Sequence, residues 1–187
     1  PTACSGKTRW STDSDGTANY LVASNNTSTT RTGTLLLAGI PHTITQSGIA
    51  CNLSISPTSL PASAAGTSGA VTLSQAASDC TWITSSDAPW IAVTSGASGT
   101  GLSGSVEYNV AANTSSGTRV GVLTVASGAS SRTFTVTQAG VGCNYTLNRY
   151  AVTLPHTAIT GQTVELSATV ADCAWSASFS RMYRWPI

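Results

Sequence analysis

The sequence predicts an all-β protein that is built from antiparallel β-sandwich modules. Apolar and polar residues alternate in short segments, as on strands that bury one face, and Val106, Tyr108 and Val110 share one side of such a segment. Asparagine, glycine, serine and proline, which favour turns, separate these segments. No segment carries a sustained apolar stripe with a 3.6-residue period, so amphipathic helices are not predicted.

An internal repeat divides the chain into one complete module and two half-modules. Residues 20–25 match residues 108–113, and residues 143–147 match residues 51–55. Repeats at a fixed period determine architecture before any local pattern does. The order along the chain is therefore a back half, a whole module and a front half.

We therefore predict two Ig-like antiparallel sandwiches. Residues 50–140 form the complete one, and residues 1–49 and 141–187 form the second as a composite. Neither half can bury its own apolar face, so we expect the two to close within one chain, because a tethered partner has the higher effective concentration. Closure between chains would give a swapped dimer or an open fibre. Deleting residues 1–49 is expected to lower hydrogen-exchange protection in residues 141–187.

The strands can be followed in order by their apolar positions. The back half contributes segments around Tyr20, Leu35 and Ile44, and the front half contributes segments around Leu147 and Leu166. Prolines at strand exits argue against helix. In the complete module, residues at alternate positions of the strands share one face and are predicted to form the core: Leu123, Val125, Val136, Val106, Val110 and Trp82. By the same repeat, Trp175 and Tyr20 are predicted to be buried, and Trp90 is predicted to pack in the core or at an edge.

Charge and composition exclude several classes of function. Charged residues make up 8% of the chain and the net charge is +1, so there is no electrostatic case for binding nucleic acid or an anionic membrane. No apolar run is long enough to span a bilayer, and the first residues do not resemble a targeting segment.

The cysteines repeat their spacing. Cys51 and Cys80 are 29 residues apart, and Cys143 and Cys173 are 30 apart. A zinc site would need closer Cys or His pairs, so two disulfides within the modules are predicted, with buried free thiols as the alternative. Disulfides would indicate an oxidising compartment, extracellular or periplasmic. Cys4 has no counterpart in this spacing.

Several short motifs together resemble a BACON-type domain, the bacterial carbohydrate-associated, Ig-like repeat. They are Cys51, Asp79-Cys80-Thr81-Trp82, Pro89-Trp90-Ile91, residues 104–113, Arg119-Val120-Gly121 and residues 136–140. The resemblance implies a secreted bacterial β-sandwich, one of several in a larger surface protein, in a family that accompanies carbohydrate-active enzymes or adhesins. It implies no catalytic residues and no cofactor.

Candidate site residues lie near the two ends of the chain. Exposed aromatic rings stack on sugars, and the aromatic and arginine residues there are candidate ligand-binding residues: Trp10, Tyr183, Arg184 and Trp185. Asp13 and Asp15 are the candidate catalytic carboxylates of an alternative glycosidase site. The alternative for the aromatic cluster is an interface that completes the sandwich. Asp79 and Asp172 occupy equivalent repeat positions, which favours a structural turn or cap role. No metal site is predicted, because Asp13 and Asp15 lack the downstream glutamate of a calcium loop.

The sequence therefore predicts a secreted, non-catalytic module of a bacterial surface protein that binds carbohydrate or acts as a spacer or adhesin. Polysaccharide is the expected partner, and no cofactor is expected. The first alternative is a small glycoside hydrolase with its site at the junction of the two termini. The second is a self-assembling structural subunit.

Overall fold

A computed structural model describes residues 16–157, 159–178 and 180. Within these ranges the regular structure consists of strands, and no helix is present. The strands are β1 (Arg31–Leu37), β2 (Ile40–Gln46), β3 (Ser54–Ser56), β4 (Ser59–Ala62), β5 (Thr67–Ser74), β6 (Thr81–Ser86), β7 (Ile91–Ser95), β8 (Ser98–Thr100), β9 (Ser103–Val110), β10 (Arg119–Ser127), β11 (Ser130–Gln138), β12 (Tyr145–Leu147) and β13 (Leu166–Ala168).

Strands β3 to β11 form two sheets that enclose the core of the complete module. One sheet has the order β4-β11-β10-β6-β8, and the other has the order β3-β5-β9-β7. All pairs are antiparallel except β4 and β11, which run parallel. The prediction of an all-β, sandwich-like fold is confirmed.

The core lies where the alternate positions predicted it. These side chains are buried: Leu123, Val125, Val136, Val106, Val110 and Trp82. Phe134 is fully buried among them, and its ring centroid lies 5.0 Å from that of Tyr108. Trp90 is partly buried against this core, with the Arg119 guanidinium 4.3 Å from its ring centroid. The predicted register of β9, β10 and β11 is therefore correct.

Trp82 is buried because two glycines admit its ring. A Cβ added at Gly99 or Gly104 would lie 2.2 or 2.5 Å from the indole, and the indole Nε1 donates to the Gly96 carbonyl at 3.2 Å. Trp175 occupies the same repeat position, yet it is 63% exposed, so the prediction that it is buried was wrong. Strands β12 and β13 are the only strands described after residue 140, and they supply no counterpart of β8 and β9 to cover the ring.

Tyr20 is less buried than Tyr108 because it, like Trp175, lacks a covering strand in the described residues. Tyr108 is buried against Gly69 of β5 and against Phe134, whereas Tyr20 is 46% exposed and contacts His42. The prediction that Tyr20 is buried was therefore wrong. In the complete module the ring is covered by a front-half strand, and β1 and β2 pair only with each other in the described residues.

Both half-modules leave apolar side chains in solvent. Strands β1 and β2 form one two-stranded sheet and β12 and β13 form another. Leu37 is 38% exposed and Val164 is 55% exposed. That residues 1–49 and 141–187 together form a composite second sandwich stays a prediction.

Replacing Gly104 by alanine is expected to destabilise the protein by about 1–3 kcal/mol, because the new methyl group would displace the buried Trp82 ring. Urea unfolding followed by tryptophan fluorescence measures the change. Gly117→Ala is the matched control, since nothing lies within 4 Å of its added Cβ. Equal effects of the two substitutions would contradict the close packing of Gly104 against the Trp82 indole.

Candidate functional site at the module joints

Two joints connect the complete module to the half-modules, and both use the same atoms. At the first, Asp79 accepts from the Ser28 backbone N–H at 2.6 Å and from the Ser28 hydroxyl at 3.0 Å. At the second, Asp172 accepts from the Ser116 N–H at 2.9 Å and from the Ser116 hydroxyl at 3.1 Å. Each joint therefore places an aspartate turn of one module on a serine turn of the preceding module.

A buried asparagine shapes each serine turn. The Asn113 amide donates to the Gly117 and Ala139 carbonyls at 2.7 and 3.1 Å, and its oxygen accepts from the Ser115 N–H. Asn25 makes the equivalent bonds in the back half-module. Such bonds hold the backbone in a turn, so the serine N–H is oriented before the aspartate arrives.

The linker between modules is fixed against the same turn. The Ile49 N–H donates to the Thr27 carbonyl at 2.8 Å, and the Val141 N–H donates to the Ser115 carbonyl at 2.8 Å. The residue before each of these is glycine, and a Cβ added at Gly140 would lie 2.0 Å from the Ser116 carbonyl oxygen. The sequence therefore uses glycine where the linker backbone approaches the serine turn most closely.

A disulfide closes each joint. Cys51 follows the first linker and is bonded to Cys80, which directly follows Asp79. Cys143 follows the second linker and is bonded to Cys173. Both disulfides predicted from the repeated spacing are thus present, and they connect the end of each linker with its aspartate turn.

Hydrogen bonding also sets the charge state of the joint. The Ser28 N–H lowers the pKa of the Asp79 carboxyl below its ordinary value, the Ser28 hydroxyl adds to this effect, and partial desolvation opposes it. The Ser116 N–H and hydroxyl lower the pKa of Asp172 in the same way. Both aspartates are therefore ionised at neutral pH, which gives charge-assisted hydrogen bonds.

A groove of about 630 Å³ opens beside the first joint. The linker and Ser28 form one wall, and the turn between β10 and β11 forms the other. Its lining residues are Ser28, Ile49, Ala50, Cys51, Asn52, Gly128, Ala129, Ser130, Ser131 and Arg132. It offers hydroxyl groups, an amide and a guanidinium, and none of these described lining residues is aromatic.

The terminal residues singled out by the sequence lie outside the described residues: Trp10, Asp13, Asp15, Tyr183, Arg184 and Trp185. Their proposed sugar-binding and catalytic roles stay predictions. Across the described ranges no group of three or more His, Cys, Asp or Glu side chains is placed to hold a metal ion. Those ranges also contain no helix that is long and apolar enough to cross a membrane.

Sequence reasoning gave Asp79 and Asp172 a turn or cap role but did not find the serine turns that receive them. The signal that could have found them is the repeat of Asn25 and Asn113 at equivalent positions, because both begin turns whose free N–H groups need an acceptor.

Acid is expected to loosen both joints together. A carboxylate whose folded-state pKa is lowered stabilises fully above its unfolded value of about 3.9, and this contribution is lost as the pH falls through the lower folded-state value. The amide resonances of Ser28 and Ser116 should therefore shift below about pH 4, which an NMR titration measures. Asp79→Asn should abolish the response at Ser28 and leave that at Ser116. A flat Ser28 resonance down to about pH 2 would contradict the assignment.

Comparison with known proteins supports a family assignment for part of the chain. Residues 81–139 match the BACON family, described as "Putative binding domain, N-terminal". No curated protein matches the chain.

Among solved structures, a GH5 xyloglucanase of Bacteroides ovatus in complex with a heptasaccharide is 24% identical, with a TM-score of 0.42. The match covers 48% of this chain and 19% of that one. Domains 4 and 5 of the S-layer protein SbsC are 12% identical, with a TM-score of 0.40, over 55% of this chain and 60% of that one. A protein from Bacteroides thetaiotaomicron is 16% identical, with a TM-score of 0.34, over 50% of this chain and 92% of that one. The matched segment 81–139, which is similar to the BACON family, runs from β6 to β11 and carries the Ser116 turn.

Proposed function

We propose that this chain is a non-catalytic spacer or adhesion segment of a secreted bacterial surface protein, in which BACON-type modules are held in line by fixed joints. The observation that carries this proposal is the repetition of one joint, in which a serine N–H and hydroxyl donate to an aspartate carboxylate, at Asp79 with Ser28 and at Asp172 with Ser116. A spacer needs defined contacts between modules more than it needs a pocket.

The register of the complete module supports an in-line arrangement. Thr67 at the start of β5 pairs with Val110 at the end of β9, and Ser74 pairs with Ser103. The turn of Asp79 follows the end of β5, and the turn of Ser116 follows the end of β9. The two joints therefore lie at opposite ends of the sandwich, and an eight-residue strand such as β5 separates such ends by about 26 Å.

The disulfides support an extracellular or periplasmic location, because disulfides persist in oxidising compartments. The linkers support the same function, since a linker that is hydrogen-bonded to the preceding module cannot act as a flexible tether.

The sequence repeat also supports a composite organisation, with residues 1–49 as the back half and residues 141–187 as the front half of sandwich modules. Tyr20 and Trp175 are exposed, whereas their counterparts in the complete module are buried. This supports half-modules that need complementary strands to cover these rings. Because the two joints lie at opposite ends of the complete module, this arrangement favours closure between chains over closure within one chain. Light scattering over a dilution series separates the two.

Carbohydrate binding is the second candidate function. It is supported by the description of the matched family as a binding domain and by the hydroxyl groups, Asn52 and Arg132 of the groove beside the first joint. The groove residues include no aromatic ring on which a sugar could stack, so the spacer function is favoured.

A glycan array and a panel of polysaccharide substrates, both run on the full chain, test the proposal. We expect no turnover and no saturable binding. Binding that is lost in Arg132→Ala and kept in Arg149→Ala would replace the spacer function with carbohydrate recognition in the groove. Turnover lost on changing Asp13 or Asp15 would establish the hydrolase instead.

A further inference from the structure

Resting on the proposed spacer function, we infer that each disulfide is the clamp of an inter-module joint and that the partner of each aspartate turn is the serine turn of the preceding BACON-type module. The disulfides are therefore assigned to the orientation between modules and not to the packing of the sandwich core.

The first joint is a closed ring of short contacts. The linker hydrogen-bonds to the serine turn through the Ile49 N–H, continues to Cys51, and crosses the disulfide to Cys80. The preceding residue, Asp79, then returns to the serine turn at Ser28. The three connections form one cycle, so opening any one of them weakens the hold of the other two on the turn. In the first joint the Ser78 N–H and hydroxyl also donate to the Asn26 carbonyl, both at 3.3 Å.

The second joint repeats this ring. Val141 hydrogen-bonds to the serine turn, Cys143 is bonded to Cys173, and Asp172 returns to Ser116. The two joints have the same three connections, although they lie in parts of the chain that share only the repeat. The ring is therefore a property of the module, and its partner is a neighbouring module of the same kind.

The core of the complete module does not depend on the disulfide for its contacts. Cys80 is buried, yet it belongs to neither of the two apolar clusters that fill the sandwich. The two sheets are held together by these apolar clusters, and the strands within each sheet are joined by continuous ladders, such as the eight residue pairs between β5 and β9. Losing the disulfide should therefore release the joint while the sandwich stays folded.

The test measures amide exchange by NMR in the full chain. In a variant with Cys51→Ser and Cys80→Ser, the amides of Ser28 and Ile49 should lose about tenfold or more in protection, relative to the amides of Ser116 and Val141 at the intact joint. The core resonances of β9 to β11 should keep their positions. Unchanged relative protection at Ser28, or a collapse of the core resonances, would overturn the assignment.

Asp79→Ala provides a second variant that keeps the disulfide. It should reduce Ser28 protection by a similar factor, and in the cysteine-free background it should add less than about twofold, because an open ring has little left to lose. If the combined variant instead lost Ser28 protection by the product of the two separate factors, the carboxylate and the disulfide would act independently, and the clamp would be overturned. Glycan binding in the array would overturn the spacer function alone, whereas independent effects at the joint would overturn the clamp alone.

Discussion

Replacing Leu123 by alanine is expected to destabilise the protein by about 2–5 kcal/mol. The side chain is 1% exposed and lies on β10 opposite Phe134 of β11, at the centre of the larger apolar cluster. Its removal leaves a cavity that the close-packed side chains of the two sheets cannot fill without leaving their present positions. Urea unfolding monitored by tryptophan fluorescence gives the free energy of unfolding.

Ile83→Ala is the control for Leu123→Ala. Ile83 is 66% exposed on β6 of the same sheet, so its truncation should change the free energy of unfolding by about 0.5 kcal/mol or less. A loss below about 0.5 kcal/mol for Leu123→Ala would mean that the register of β10 is shifted by one residue.

Removing the Cys143–Cys173 disulfide is expected to unfold the front half-module. The bond joins residues 30 apart, and closing such a loop stabilises by about 3–4 kcal/mol in the chain-entropy estimate. Only β12 and β13 are described in this part of the chain, and a two-stranded sheet is marginal by itself. Amide exchange of Asn148 and Thr169, whose N–H groups donate to the Glu165 and Asn144 carbonyls across β12 and β13, measures the loss in a variant with Cys143→Ser and Cys173→Ser.

The same change at Cys51 and Cys80 is the comparison. It removes a bond of nearly the same loop length, but the surrounding sandwich has nine strands of its own, so the complete module should stay folded with a lower unfolding temperature. Retained protection of the Asn148 and Thr169 amides without the disulfide would show that other contacts hold the front half-module.

The fold class, the core register and both disulfides could be predicted because their signals are local or periodic. Alternation along β10 placed Leu123 and Val125 inward, and equal cysteine spacings indicated equal pairings. The predictions that Trp175 and Tyr20 are buried were wrong for one physical reason. A repeat carries over the position of a residue in a module, but burial depends on whether the complementary strands are present.

The joints could be predicted only in part. The equivalence of Asp79 and Asp172 correctly indicated a cap, but Ser28 lies 51 residues from Asp79 in the chain. A polar contact between modules leaves no apolar period and no fixed spacing from which a sequence could show its partner. The groove beside the first joint escaped prediction because it is formed by the turn between β10 and β11 and a distant linker.

The position of the Cys51–Cys80 bond has a mechanical consequence. When the chain is stretched from its ends, tension that arrives at Cys51 crosses the sulfur bridge to Cys80, so β3, β4 and β5 are shielded from the pulling force. A module that yields under tension should then lengthen by about 100 Å less than its residue count allows, since the bridge spans 29 residues. Single-molecule pulling with and without a reductant measures this difference in extension, and equal extensions would show that the force takes another route.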